Sequence, residues 1–290
     1  MNAKTVFVIG AGAMGAGIAQ VVATGGFKVY LNDVTMDRVA RGQKQITNNI
    51  NRNVTKGKMT PEEGTAILGR LTYTDSYDKV AEADVVIEAI FENLDAKKAI
   101  FQKIGPMAKE GALLATNTSS LSLTAIGSVV PHPERFIGIH FFNPAPVMKL
   151  VELVVGLKTS PETIADAMEF GKKLGKDPVV SKDSPGFLVN RCLVVMLNEA
   201  ICLYSEGVGS AEDIDKGMML GCNHPMGPLT LADMVGLDIV SAVMECFYTG
   251  FADSKYRPAL LLRKMVEAGT LGIKTGQGFY KYDANGKKVK

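Results

Sequence analysis

The sequence predicts an α/β protein: a doubly wound, mostly parallel sheet with an added antiparallel hairpin, followed by a smaller all-helical domain. Three observations predict it. Short, continuously apolar runs alternate with helical patterns through residues 1–183, as strands buried on both faces do. Two later runs, 136–142 and 150–155, are joined by a short Asn/Pro loop and read as an antiparallel pair. Beyond K-D-S-P-G at 182–186 the apolar runs give way to long patterns rich in Leu, Met and Val, so residues 184–290 read as the helical domain.

The first element is T-V-F-V-I, and a glycine-rich turn follows it at once: Gly10, Gly12 and Gly15 match G-x-G-x-x-G at the entry to a helix. Gly10 permits the tight turn, Gly12 leaves room for backbone to approach a pyrophosphate, and Gly15 lets helix and strand pack closely. The N–H groups at such a helix start can hold phosphate charge. A second strand, Phe27 to Leu31, ends in Asn32 and Asp33, about 20 residues on, where an acid binds the adenosine ribose. Together these read as a dinucleotide site in a Rossmann-type domain. The acid favours NAD over NADP, because a carboxylate repels a 2′-phosphate at the same place.

A long polar helix follows from Val34 to Asn53, with Val39, Ile46 and Ile50 on one apolar stripe. Its end is basic, with Arg52, Lys56 and Lys58, which reads equally as cations solvated near a helix C-terminus. A short helix after Pro61, a strand at 71–73 and a buried strand at 84–90 come next. The helix Leu94 to Ile104 and a strand at 112–116 follow, the latter ending in N-T-S-S. Polar groups just past a parallel strand are where open α/β sheets bind ligands, although Ser120 or Ser122 can also cap the next helix. The hairpin, a helix over 161–174 and a strand at 178–180 complete the domain.

Net charge is +2, which gives no broad footprint for nucleic acid or a membrane surface. The start, M-N-A-K-T-V-F-V-I-G, is neither a signal peptide nor a spanning segment, so a soluble cytoplasmic protein is expected. Cys192, Cys202, Cys222 and Cys246 lie far apart without ligand spacing, and read as reduced, mostly packed thiols with no metal.

An enzyme that moves hydride to or from an alcohol carbon also moves a hydroxyl proton, and needs a group titrating near neutrality. The chain has three histidines. His132, between two prolines, reads as an exposed loop residue, and His224, before a proline, as a turn or packing residue. His140 sits inside an apolar strand. Glu152 interrupts the next strand, where a buried carboxylate is costly unless paired. If the two strands form the hairpin, Glu152 accepts one ring N–H of His140 and fixes its tautomer, the orienting logic of a catalytic triad without the serine.

G-A-G-A-M-G-A-G-I-A-Q, E-A-I-F-E-N, T-N-T-S-S-L, G-I-H-F-F-N-P, K-L-V-E-L-V and P-G-F-L-V-N-R stand in order from Gly10 to Arg191. P-M-G-P-L at 225–229 and K-T-G-Q-G-F-Y at 274–280 extend the pattern to the tail. This set resembles the 3-hydroxyacyl-CoA dehydrogenase family, and the compact length is nearest its bacterial 3-hydroxybutyryl-CoA branch. The resemblance implies NAD-linked interconversion of short 3-hydroxyacyl-CoA and 3-oxoacyl-CoA thioesters in a cleft between an NAD-binding domain, 1–183, and a substrate and dimerisation domain, 184–290. It implies His140 and Glu152 as the proton-transfer pair, and Ser119 and Asn190 on the substrate's C3 oxygen and thioester. It places Asp33 on the adenosine ribose, and Glu92, Lys97, Ser119, Asn143 and Lys274 on the nicotinamide side. It also sets Arg52 and Lys56 near the coenzyme A nucleotide, and a homodimer through the helical domain, where the stretch Met218 to Val240 suits a buried interface. A free β-hydroxyacid dehydrogenase of the 6-phosphogluconate type shares the domain plan but uses a lysine base, and a non-catalytic NAD-binding protein like the related lens crystallin has no need of the full set Ser119, His140, Glu152 and Asn190.

Overall fold

The computed structural model describes residues 3–289, which divide between Ser184 and Pro185 into two units. The first holds eight strands: β1 (Thr5–Ile9), β2 (Lys28–Asn32), β3 (Leu71–Thr74), β4 (Val85–Glu88), β5 (Leu113–Thr116), β6 (Phe136–Phe141), β7 (Leu150–Val155) and β8 (Asp177–Lys182). Its helices are α1 (Ala13–Thr24), α2 (Met36–Thr55), α3 (Pro61–Leu68), α4 (Leu94–Ile104), α5 (Leu123–Gly127) and α6 (Pro161–Lys173). The strands form one sheet in the order β3-β2-β1-β4-β5-β6-β7-β8. The first six run parallel, β7 runs antiparallel to β6, and β8 runs parallel to β7.

The order reverses at β1 and β4, the place where doubly wound sheets open a crevice at their carboxyl ends. Strands β1, β4 and β5 are buried almost throughout because helices cover both faces. Local chemistry sets the helix starts. Thr35 caps α2 through the Arg38 N–H, and Thr60 and Glu63 form a capping box on α3 with Pro61 in its first turn. Ser122, not Ser120, caps α5, and Asp183 accepts the Leu123 and Thr124 N–H groups as well. On α2, Val39, Gly42, Ile46 and Ile50 are buried on one stripe, and most of the remaining residues are polar.

The second unit contains α7 (Val189–Ser205), α8 (Ala211–Gly221), α9 (Pro228–Val235), α10 (Leu237–Phe251) and α11 (Leu260–Glu267) around Leu197, Ile201, Leu229, Leu237, Met244, Phe247 and Leu262. Among the described residues its tail has a short 3-10 turn, Ile273–Thr275, and isolated bridges, Gly272 with Gln277 and Tyr282 with Lys288 among them. Two buried aspartates hold that tail. Asp233 accepts the Phe279 and Tyr280 N–H groups and the Tyr282 hydroxyl, and Asp215 accepts the Tyr280 hydroxyl. Burial pushes the Asp233 carboxyl above its ordinary range despite those donors.

The cysteines differ from the sequence expectation. Cys192 and Cys222 are exposed and Cys202 and Cys246 half-buried; Cys202 packs against the helical core, but none of the four is fully buried. Cys192 precedes the buried stripe of α7 that begins at Val194, and Cys222 is the residue that ends α8. No helix among the described residues is long and apolar enough to cross a membrane.

Candidate active site

The carboxyl ends of the parallel strands lie in one register. Asn32, Ile9, Glu88 and Thr116 are successive partners across the sheet, and each strand therefore delivers its following loop to the same edge. Gly10 leaves β1 with φ +100°, and a Cβ there would meet the Ala89 carbonyl oxygen at 2.5 Å. At Gly15 a Cβ would stand 1.7 Å from the Gly10 carbonyl oxygen, so both positions admit only glycine. A Cβ on Gly12 would meet nothing within 4 Å, which leaves the start of α1 approachable. That start has no side-chain cap and no acid in its first turn, as suits a helix whose N–H groups receive phosphate.

Asp33 follows β2. Its Oδ2 accepts the Ala11 N–H at 2.8 Å and its Oδ1 the Val34 N–H at 2.8 Å, which ties the carboxylate to the glycine turn. Arg38 lies 3.8 Å away, 61% exposed. These residues fit the adenosine and pyrophosphate of a dinucleotide: an open cradle of N–H groups and an acid at the ribose position.

The β6–β7 register sets His140 opposite Glu152. Nδ1 of His140 lies 2.8 Å from Glu152 Oε2, with the histidine 5% and the glutamate 0% exposed. A carboxylate only accepts, so Nδ1 carries the proton of this bond, and proton exchange falls to Nε2. The Phe142 ring lies 4.6 Å from the imidazole, and Asn117, from the loop after β5, accepts the Phe141 N–H at 2.8 Å.

Glu92 and Ser119 meet. Glu92 Oε1 accepts the Thr118 hydroxyl at 2.5 Å, the Ser119 N–H at 2.9 Å and the Ser120 N–H at 3.2 Å. Burial opposes ionisation of Glu92, but the Lys97 ammonium, the Thr118 hydroxyl and the Ser119 N–H outweigh it and hold the carboxyl below its ordinary range. Lys97 is 1% exposed, bonded at 2.6 Å to Glu88 and 3.4 Å from Glu92. Glu88 and Thr116, both fully buried, are absent from the sequence reading. The signal was there in E-A-I-F-E-N, since an acid at the end of an apolar strand raises the same question as Glu152.

Asn143 is exposed in the loop after β6 and lines a groove of about 320 Å³ with Arg52, Lys56, Lys58, Asn49 and Gln20. Helix α2 ends at Thr55, so Arg52 is its last cation and Lys56 its C-cap, both facing this groove. Lys176, another residue the sequence did not announce, is 8% exposed and donates to the Ala145 and Met148 carbonyls at 2.7 Å, pinning the loop that carries Asn143.

In the second unit Asn190 is the second residue of α7, half-buried, after Phe187 at φ +50°. Lys274 bonds both oxygens of Asp238, at 2.5 and 2.6 Å. His132 is exposed beside Glu134 at 3.2 Å, and His224 lies in the loop between α8 and α9, away from any strand.

A model of the 3-hydroxyacyl-CoA dehydrogenase NAD binding domain matches residues 5–184, and one of the C-terminal domain of the same enzymes matches residues 186–282. A 3-hydroxybutyryl-CoA dehydrogenase of Bradyrhizobium diazoefficiens is 50% identical over 279 residues, which cover 96% of this chain and 95% of the relative. The human mitochondrial hydroxyacyl-coenzyme A dehydrogenase is 44% identical, with 96% of this chain and 91% of that one covered. The crystal structure of the (S)-3-hydroxybutyryl-CoA dehydrogenase of Ralstonia eutropha superposes with a TM-score of 0.95 at 49% identity, covering 97% of this chain and 100% of that one. On both family models and these relatives, the chain is an NAD-dependent oxidoreductase that belongs to the 3-hydroxyacyl-CoA dehydrogenase family.

Proposed function

We propose that this chain interconverts short 3-hydroxyacyl-CoA and 3-oxoacyl-CoA thioesters, with 3-hydroxybutyryl-CoA and acetoacetyl-CoA as the preferred pair. The observation that carries the reading is the buried His140–Glu152 pair, 2.8 Å apart, at the sheet edge that also carries the glycine turn. NAD would be held by the Gly10–Gly15 turn and Asp33, and would supply the acceptor for the C3 hydride in oxidation and its donor in reduction. His140 Nε2 takes the C3 hydroxyl proton in oxidation and gives a proton to the C3 oxygen in reduction. Glu152 keeps Nδ1 protonated and stabilises the imidazolium that results. Ser119 and Asn190 donate hydrogen bonds to the C3 oxygen and thioester region, where charge develops during the transfer.

On the cofactor, Asp33 takes the adenosine ribose, and Gly10, Gly12 and Gly15 admit the pyrophosphate. Glu92, Lys97, Ser119, Asn143 and Lys274 serve the nicotinamide side, Lys97 by holding Glu92. Arg52 and Lys56 bind phosphate of the coenzyme A nucleotide, which supports a CoA thioester over a free acid. The helical unit pairs two copies, for which the exposed Leu220, Met234 and Ile239 supply apolar surface. Four cysteines outside any disulfide suit a reducing cytoplasm.

The test is NADH oxidation with acetoacetyl-CoA, longer 3-oxoacyl-CoA thioesters and free acetoacetate. The reading expects the highest kcat/KM with acetoacetyl-CoA and little turnover of the free acid. Equal turnover of free acetoacetate would overturn the thioester assignment.

A further inference from the structure

Glu88 closes β4 with a side chain that is 0% exposed, and a carboxylate at such a place must find its donors within the protein. It has three, from three separate segments. Oε1 accepts the Lys97 ammonium from α4 at 2.6 Å and the Ile90 N–H from the loop after β4 at 2.7 Å. Oε2 accepts the Thr116 hydroxyl at the end of β5 at 2.7 Å. With its proton committed to Glu88, the Thr116 oxygen accepts the Thr118 N–H at 3.3 Å. The Lys97 ammonium turns the other way as well, to the Ile90 carbonyl and Glu92 Oε2, both at 3.4 Å.

Two carboxylates and one ammonium thus join the loop after β4 to the loop after β5. An apolar residue at position 88 would suit the strand better, since β4 is otherwise Val85, Val86 and Ile87, all 0% exposed. The charge at 88 therefore serves what lies beyond the strand. Glu92 gathers the Thr118 hydroxyl and the Ser119 N–H with one oxygen while Lys97 holds the other, and Lys97 is itself held in the interior by Glu88.

We infer that Glu88 is a positioning residue for the cofactor half of the site, fixing Glu92 through Lys97 and the Ser119 turn through Thr116. The inference rests on the roles proposed above for Glu92, Lys97 and Ser119. Replacing Glu88 by Gln keeps the shape but removes the charge, which leaves Glu92 as the carboxylate nearest the buried ammonium. Lys97 then loses the partner that fixes its place between the two carboxylates, its contact with Glu92 Oε2 slackens, and Glu92 loosens its hold on Thr118 and Ser119.

The test compares wild type, Glu88→Gln, Thr116→Val and Ser119→Ala by NADH fluorescence titration, thermal unfolding and steady-state kinetics with acetoacetyl-CoA. Glu88→Gln should raise both the NADH dissociation constant and the KM for NADH about tenfold or more, as expected when a misplaced group spoils alignment, with a smaller rise in KM for acetoacetyl-CoA, which Ser119 also contacts. Thr116→Val, which keeps every charge, should weaken NADH binding about threefold or more, and it decides the matter if Glu88→Gln does not fold. Wild-type NADH affinity in the folded variants, with only the unfolding temperature lowered, would make Glu88 merely structural and overturn the inference. Ser119→Ala separates the two ideas. If Ser119→Ala loses turnover while Glu88→Gln and Thr116→Val bind NADH normally, the inference fails alone; if Ser119→Ala behaves as wild type, the roles on which it rests fail first.

Discussion

Glu152 and Glu88 are both 0% exposed near one edge of the same sheet, but Glu152 faces the His140 imidazole directly across one rung whereas Glu88 collects donors from three segments. The first arrangement leaves a proton that can be exchanged, because the ring it orients has a second nitrogen. The second ties an ammonium, an amide and a hydroxyl into a fixed set. One carboxylate serves a moving proton and the other a fixed scaffold, although burial and chemistry are alike.

The largest expected effect tests the first region. His140→Gln should lower kcat by about 10²–10⁴-fold, the usual contribution of a general acid–base group, with NADH affinity retained because the glycine turn and Asp33 are untouched. NADH titration and steady-state rates on one preparation check this. Near-normal turnover would make His140 a packed core histidine like any other, and the contrast with Glu88 would dissolve.

Asp33 lies on the scaffold side of the comparison. Both of its oxygens accept backbone N–H groups, so Asp33→Ala removes a ribose acceptor and slackens the glycine turn together. NADH affinity should fall about tenfold, in keeping with hydrogen bonds to a charged group. NADPH affinity should fall less or rise, since the repulsion of a 2′-phosphate is gone and Arg38 stands 3.8 Å from the vacated carboxylate. Competition titrations with NADH and NADPH measure the ratio, and an unchanged ratio would remove Asp33 from cofactor choice.

A smaller change is expected from Arg52→Ala/Lys56→Ala, because both cations work at the solvent-facing groove and not in the interior. KM for acetoacetyl-CoA should rise about 3- to 30-fold, less at raised salt, with KM for NADH unaltered. A pantetheine thioester, which lacks the nucleotide phosphates, should show no penalty. An equal penalty for that truncated substrate would place these residues elsewhere in the mechanism.

The smallest effect is in pH. The folded state holds Glu92 below its ordinary value of about 4.3, so on acidification the unfolded chain takes up this proton first. The stability Glu92 contributes is therefore full above that value and is lost only as pH falls through the lowered folded value. The urea midpoint of wild type should exceed that of Glu92→Gln near neutrality, and the two should converge on acidification. A constant difference down to pH 3 would mean that the carboxylate charge is not what holds the Ser119 turn.

The same contrast explains what was legible in the sequence. His140 and Glu152 could be paired from sequence because both lie in strands, where a hairpin reading brings the two side by side. The glycine turn, Asp33 and α4 were legible for a similar reason: each is defined within one βα unit. Glu88 was not, because its partners Thr116 and Lys97 lie 28 and 9 residues away in a different strand and a helix, and no local pattern links them. Lys176 was hidden in the same way, since its two carbonyl acceptors lie in a loop 31 and 28 residues upstream. The buried Asp215 and Asp233 escaped notice because the tail they hold has no periodicity to read. The cysteines misled because a small apolar side chain on a helix gives no sign of which face it occupies.

The central claim is that Glu152 acts through His140, and the double-mutant cycle on kcat measures it most directly. Glu152→Gln and His140→Gln are assayed singly and together with acetoacetyl-CoA and NADH, each folded by circular dichroism. If the pair works as a unit, the double variant turns over no more slowly than His140→Gln alone, within about twofold. If the two losses multiply, Glu152 has a task of its own and the account of this pair is wrong.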